Sequence, residues 1–218
     1  MIANGTSFSK MGKKTKEKKV LLCGDTQTGK TSFLLMYHKK ALPAEIPNVT
    51  TSQSIRYHTN KKNYYMMIVD MSGRKEHEKM RPIAFTATNV FLMFFAIDNK
   101  ESYDNILNNH YPAMMKYAPR AKIILVGTKS DLRSTGNTNL ISQQDGEQLA
   151  VQIQAEKYME CSTINNTGVN EIIEIAQIEA AVKNKDQMKG RPKDPYKQKK
   201  KQIKKAGKIL KWTFKIFG

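Results

Sequence analysis

An α/β fold with a largely parallel sheet is predicted for this 218-residue chain by three observations. Strand-like runs at Lys19–Gly24, Tyr64–Asp70, Asn89–Ile97, Lys122–Gly127 and Lys157–Glu160 alternate with helix patterns near 30–40, 101–117, 142–154 and 169–182, the rhythm of βαβ units. Two runs, Val90 to Ile97 and Ile123 to Val126, are unbroken apolar sequence, which suits strands covered on both faces. A glycine-bounded segment, Gly24 to Thr31, joins the first apolar run to the first helix pattern.

Taken in order, the first element is Val20-Leu21-Leu22-Cys23, followed by Gly24-Asp25-Thr26-Gln27-Thr28-Gly29-Lys30-Thr31 and then Phe33-Leu34-Leu35-Met36-Tyr37. The middle stretch fits G-x-x-x-x-G-K-[ST], a loop whose N–H groups converge on phosphates, whose lysine reaches the outer phosphates and whose hydroxyl takes one Mg²⁺ position. Asp25 to Ser32 are therefore the candidate phosphate-binding residues. The run ending in Ile68-Val69-Asp70-Met71-Ser72-Gly73 offers an aspartate for Mg²⁺ and a glycine N–H for a γ-phosphate. Ile123 to Asp131 ends in Thr128-Lys129-Ser130-Asp131-Leu132, where an aspartate just past a strand can accept two hydrogen bonds from a guanine edge while the Lys129 stem packs over the base. Glu160-Cys161-Ser162-Thr163 supplies a loop N–H for the guanine carbonyl. In the last helix pattern, Val169, Ile172, Ile173, Ala176 and Ala180 recur at helical spacing and are read as packing against the sheet.

Composition sets the remaining bounds. No apolar run approaches the ~20 residues of a membrane-spanning helix, and no long apolar stretch follows Met1, so no secretory leader is expected. The formal charge of +18 is unevenly placed. Residues 1–19 carry six Lys and one Glu, residues 183–218 carry fourteen Lys or Arg and two Asp, and the middle is left near neutral. The tails thus call for an anionic partner, and the chain divides into a basic extension (1–17), one domain (18–182) and a basic linker with a C-terminal helix (183–218). Two cysteines, Cys23 and Cys161, give no support to a disulfide framework or a zinc site.

The four motif segments, in this order and spacing, resemble the small GTPases of the Ras superfamily. Within it the chain is most similar to the Rho family over roughly 18–182, through Arg81 to Phe85, Asn89 to Ile97, His110-Tyr111-Pro112 and Ile123 to Arg133. The resemblance implies a P-loop fold with a six-stranded, mostly parallel sheet, one antiparallel edge strand and helices on both faces. It further implies GTP or GDP with Mg²⁺ at the strand C-terminal ends, two switch loops, effector and regulator proteins as partners, and a monomer. The nucleotide-binding residues it assigns are Asp25 to Ser32, Leu42, Asp70, Gly73, Thr128, Lys129, Asp131, Leu132, Ser162 and Thr163. Mg²⁺ falls to Thr31, Asp70 and the switch position, Asn48.

Departures from the family pattern carry their own expectations. Thr26 stands in place of a glycine, where its side chain would crowd an attacking water and an arginine finger. Arg74 replaces the glutamine that orients that water, and arginine has no acceptor, so hydrolysis is expected to be slow. Asn48 replaces the switch threonine, with Thr50 or Thr51 as substitutes after a local shift. Leu42 replaces an aromatic beside the guanine, which predicts faster exchange. Only Ser134 to Leu140 stands where Rho proteins carry an inserted helix, so that insert is expected to be missing or very short.

At about 100° per residue, Ile203, Ala206, Ile209, Leu210, Phe214, Ile216 and Phe217 share one side of a helix, Lys204, Lys205, Lys208, Lys211 and Lys215 the other, with Trp212 at the boundary. This pattern reads as a surface anchor on an anionic membrane. Rho proteins usually end in a prenylated cysteine; here the helix would replace the lipid, giving a cytoplasmic protein peripheral on a membrane, the plasma membrane for choice. A tail packed on the domain, a solvated basic tail and a calmodulin-type groove are the alternatives, and nucleic acid is not expected, since phosphate contacts have no use for an apolar stripe. Two functions follow. One is a slow, membrane-bound GTPase switch; the other is a nucleotide-insensitive scaffold, favoured by Asn48, Met71 and Arg74.

Overall fold

The computed structural model describes residues 17–43, 53–59, 64–71 and 81–182. Asn48, Thr50, Thr51, Gly73, Arg74 and the whole C-terminal helix pattern lie outside the described residues.

In chain order the elements are β1 (Glu17–Gly24), α1 (Lys30–Lys39), β2 (Gln53–Thr59), β3 (Tyr64–Asp70), α2 (Arg81–Phe85), β4 (Val90–Ala96) and α3 (Lys100–Asn105). A π-helical turn, Ile106–His110, continues α3 into α4 (Tyr111–Tyr117). Then follow β5 (Lys122–Thr128), a 3₁₀ segment (Ser130–Thr135), α5 (Gln143–Gln152), β6 (Lys157–Cys161) and α6 (Val169–Ala181).

The strands form one six-stranded sheet in the order β2-β3-β1-β4-β5-β6. β2 runs antiparallel to β3, and the other neighbouring pairs are parallel. This is the sheet that the resemblance implies. Chain order reverses at β1: the strands from there lead first to one edge, then to the other. A crevice at the carboxyl ends of the strands is the usual consequence.

The unbroken apolar runs divide by residue parity between two cores, because successive side chains of a strand point to opposite faces. Val90, Leu92 and Phe94 join Phe33, Leu34, Ile172, Ile173 and Ala176 in the core shared with α1 and α6. Phe91, Met93 and Phe95 join Phe85, Ile106, Tyr111, Met114 and Leu149 in the core under α2, α3, α4 and α5. Ring contacts tie each layer, Phe33 edge-on to Phe94 at 5.1 Å in one and Phe85 edge-on to Phe91 at 4.9 Å in the other.

From Ser134 to Leu140 the chain ends its 3₁₀ segment, passes Gly136 in the left-handed region and enters α5 with no helix between. Ser142 caps α5 by accepting from the Asp145 N–H, and Asp145 accepts in return from the Ser142 N–H, a capping box that fixes where the helix starts.

Tyr158 on β6 makes glycine necessary on α5. A Cβ at Gly146 would lie 2.2 Å from its ring. That ring stacks on Phe95 at 6.1 Å, and its hydroxyl donates to Glu160 at 2.6 Å. Glycine inside a helix is ordinarily unfavourable, so Gly146→Ala would stabilise an open site. Here the expected result is a loss of about 1–3 kcal/mol from overpacking, read as a fall of several degrees in thermal midpoint by circular dichroism.

Candidate functional site

The phosphate loop begins where β1 meets β4. Gly24 has φ 148°, and a Cβ there would stand 2.3 Å from the Phe94 carbonyl oxygen, so any side chain would push the loop off the sheet. The loop ends at Gly29, φ 81°, which opens α1 with no side-chain cap. The first-turn N–H groups of α1 are thereby left to an anion rather than to a capping side chain. Thr26 is exposed, with no left-handed backbone that would require the glycine it replaces.

Lys30 is 5% exposed and folds back over the loop. Its ammonium donates to the carbonyls of Gly24 (2.9 Å) and Asp25 and lies 3.2 Å from the Thr28 hydroxyl. Thr28 in turn donates to the Asp25 carbonyl at 2.8 Å. From below, the Thr128 hydroxyl lies 2.9 Å from the Thr28 carbonyl and 3.2 Å from that of Phe95. Thr128, expected to touch nucleotide, is buried and acts on the loop backbone.

The Mg²⁺ candidates meet at the end of β3. The Thr31 hydroxyl donates to Asp70 Oδ2 at 2.8 Å, while Asp70 Oδ1 is buried with no hydrogen-bond partner. Burial raises the Asp70 pKa above the usual carboxylate range, against the Thr31 hydrogen bond and the Lys30 charge. A buried carboxylate oxygen without a partner is costly unless a cation or its water meets it. A hydroxyl beside a carboxylate is a donor set suited to Mg²⁺, which keeps several waters and phosphate oxygens of its own. The residues present therefore fit the ion.

The base-binding segments converge at the ends of β5 and β6. Asp131 Oδ1 accepts from the Ser162 hydroxyl at 2.5 Å, and Ser162, fully buried, also accepts from the Asn165 N–H. Lys129, in the left-handed region at φ 64°, places its ammonium 2.9 Å from both oxygens of Asp98. Arg133 forks onto both Glu160 oxygens (2.7 and 2.5 Å) and donates to the Ile141 carbonyl, which ties the segment after β5 to β6. Leu132 and Thr163 are half-buried. Leu42 packs against the core shared by α1 and α6, and Ser32 is half-buried in the first turn of α1.

Three partners here were not read from the motifs: His110 and Asn105, which hold the Asp25 carboxylate, and Asp98, which holds Lys129. His110 stood inside a segment that resembles the Rho family, but that gave it no role.

Fold and site together define a phosphate-loop nucleotide-binding domain with a guanine-type base segment. The Ras family model matches residues 19–182. Among curated proteins, the GTP-binding protein rho4 of Schizosaccharomyces pombe is 32% identical over 184 residues, covering 78% of this chain and 90% of rho4. The Rho-related protein racI of Dictyostelium discoideum is 36% identical over 167 residues, 71% of this chain and 82% of racI. The Ras-like GTP-binding protein RHO1 of Entamoeba histolytica is 31% identical over 170 residues, 78% of this chain and 79% of RHO1. The chain belongs to the Ras superfamily of small GTPases, close to its Rho members.

Proposed function

We propose that this chain is an atypical Rho-like switch protein that binds GTP and GDP with Mg²⁺, hydrolyses GTP slowly, and works on the cytoplasmic face of a membrane. The observation that carries the nucleotide reading is the buried Asp70 carboxylate, one oxygen on Thr31 and the other unpartnered, at the edge of a loop closed by the Lys30 ammonium. Lys30 would neutralise the outer phosphates, and the α1 N–H groups would take phosphate oxygens. Thr31 and Asp70 would hold Mg²⁺, which would supply neutralisation of phosphate charge. Asp131, oriented by Ser162, would accept the two N–H groups of a guanine edge.

Slow turnover rests on Thr26, whose side chain would crowd an attacking water, and on Arg74, which has no acceptor with which to orient it. Effectors and regulators would meet residues around 42–56 and 70–85. The basic amphipathic pattern at 203–217 supports membrane attachment through lysines worth about 1 kcal/mol each near an anionic surface.

Denaturing the purified full chain and identifying the released base tests the first part, with guanine expected. In single-turnover assays, Arg74→Gln is expected to hydrolyse GTP at least tenfold faster than wild type, since an oriented proton acceptor contributes roughly 10²–10⁴ in rate and Thr26 still obstructs the water. Rapid wild-type turnover would refute slow hydrolysis, and a preparation free of nucleotide would favour the scaffold. Co-sedimentation with anionic liposomes, with and without residues 197–218, tests the anchor.

A further inference from the structure

The first residue of the phosphate loop after Gly24 carries a negative charge, in a loop that is read as binding a polyanion. Both oxygens of that carboxylate are taken up from a neighbouring helix: His110 Nε2 is 2.7 Å from Asp25 Oδ1, and Asn105 Nδ2 donates to Oδ2 at 2.7 Å. The backbone carbonyl of the same residue accepts from the Lys30 ammonium and the Thr28 hydroxyl. Asp25 thus faces α3 and its π turn with its side chain while its main chain fixes the groups that would meet phosphate.

The grip depends on the π turn. In a regular α-helix, residues five apart diverge by about 140° around the axis, and Asn105 and His110 could not readily close on one carboxylate. Widening at Ile106–His110, through pairing between residues five apart, brings both to the same face, and such turns concentrate at functional positions.

His110 is 2% exposed. The titratable groups facing it are Cys23 of β1, whose sulfur lies 3.5 Å from Nδ1, and Asp25 of the loop, with Lys30 acting on Asp25 across the loop. Burial alone would lower the imidazole pKa. The Cys23 sulfur and the Asp25 hydrogen bond and charge outweigh it and raise the pKa to about 9. The Asp25 carboxyl moves the other way: burial would raise it, but the hydrogen bonds from His110 and Asn105 hold it below its usual range. Both directions describe an imidazolium against a carboxylate.

We propose that His110 is a positioning residue for nucleotide binding: as a buried cation it cancels the Asp25 charge and, with Asn105, turns that carboxylate away from the phosphates and locks the loop main chain. This rests on the guanine-nucleotide reading above. It differs from a packing role in one respect, because it makes Asp25 harmful once His110 is gone.

The test uses the full chain loaded with a fluorescent GDP analogue in Mg²⁺, and follows dissociation for wild type, His110→Gln, Asp25→Asn and the double variant. His110→Gln is expected to release nucleotide about tenfold faster, as an uncompensated charge close to a polyanion requires. The double variant is expected to recover most of that loss, and Asp25→Asn to release more slowly than His110→Gln. The wild-type rate is expected to climb as pH rises through about 9 and to converge on that of His110→Gln.

The same proton links to stability. His110 has a folded-state pKa above its ordinary 6.5, so its contribution is fully present below about 6.5 and lost as pH rises through about 9. A wild-type rate in His110→Gln, or a double variant at least as fast as the single, would overturn the proposal while leaving the guanine-nucleotide reading intact. Should circular dichroism show that His110→Gln does not fold, the wild-type pH profile decides. A wild-type release rate that stays flat as pH rises through about 9 would then overturn the proposal. A wild type that binds no guanine nucleotide would refute both readings.

Discussion

Lys30→Ala is expected to abolish tight guanine-nucleotide binding, with affinity for GDP falling roughly 30- to several-thousand-fold, as the loss of a buried charge partner worth about 2–5 kcal/mol dictates. The ammonium is buried and closes the loop on the Gly24 and Asp25 carbonyls. Alanine removes both the charge that would face the phosphates and the internal tie that shapes the loop. Titration of a fluorescent GDP analogue measures the change. Wild-type affinity in this variant, with thermal stability unchanged, would dismiss the phosphate loop as the binding site. Lys30→Arg is not a rescue, since the pocket that receives a compact ammonium would have to accept a planar fork.

Asp131→Ala is expected to erase the preference for guanine. A carboxylate offers about four acceptor positions, and the Ser162 hydroxyl occupies one on Oδ1, leaving room for a ring N–H and an exocyclic amine. Losing that acceptor is expected to weaken GDP binding by roughly 10²–10⁴-fold, and to remove most discrimination between GTP and inosine triphosphate, which lacks the amine. Sites built to hydrogen-bond a substrate group owe discrimination of about 10⁴–10⁵ to such buried partners. Competition between the two triphosphates against the fluorescent analogue reads it directly. Equal discrimination in variant and wild type would assign base recognition elsewhere.

Much of this architecture was legible because the relevant signals are local. β4 and β5 announced themselves by unbroken apolar sequence, and both strands are buried along their whole length. β2 was missed by the pattern reading and reached only through the resemblance: Gln53–Thr59 is an edge strand with one neighbour, and Gln, Ser, Arg, His and Thr dominate it. α2 spans five residues, too few to establish a period. The site divides on the same principle. Gly24, Lys30, Thr31, Asp70 and Asp131 belong to contiguous motifs, whereas the partners of Asp25 lie 80 and 85 residues away and require a π turn that no propensity encodes. Asp98 is 31 residues from Lys129; it was adjacent to a predicted strand, and only the parallel pairing of β4 with β5 brings the two ends together. The expectations for Asn48, Gly73, Arg74 and the lysines and aromatics of 203–217 fall outside the described residues.

The sheet acts as a thermodynamic partition. Adjacent residues such as Ile123 and Ile124, both inaccessible to solvent, share a peptide bond but belong to different cores. Energetic perturbations on opposite sides should therefore be close to additive despite their proximity in the chain, while those within one layer, such as Ile124 with Val126, should be coupled. Evolutionary drift can consequently rework the layer beneath α1 and α6 without retuning the layer that carries the π turn.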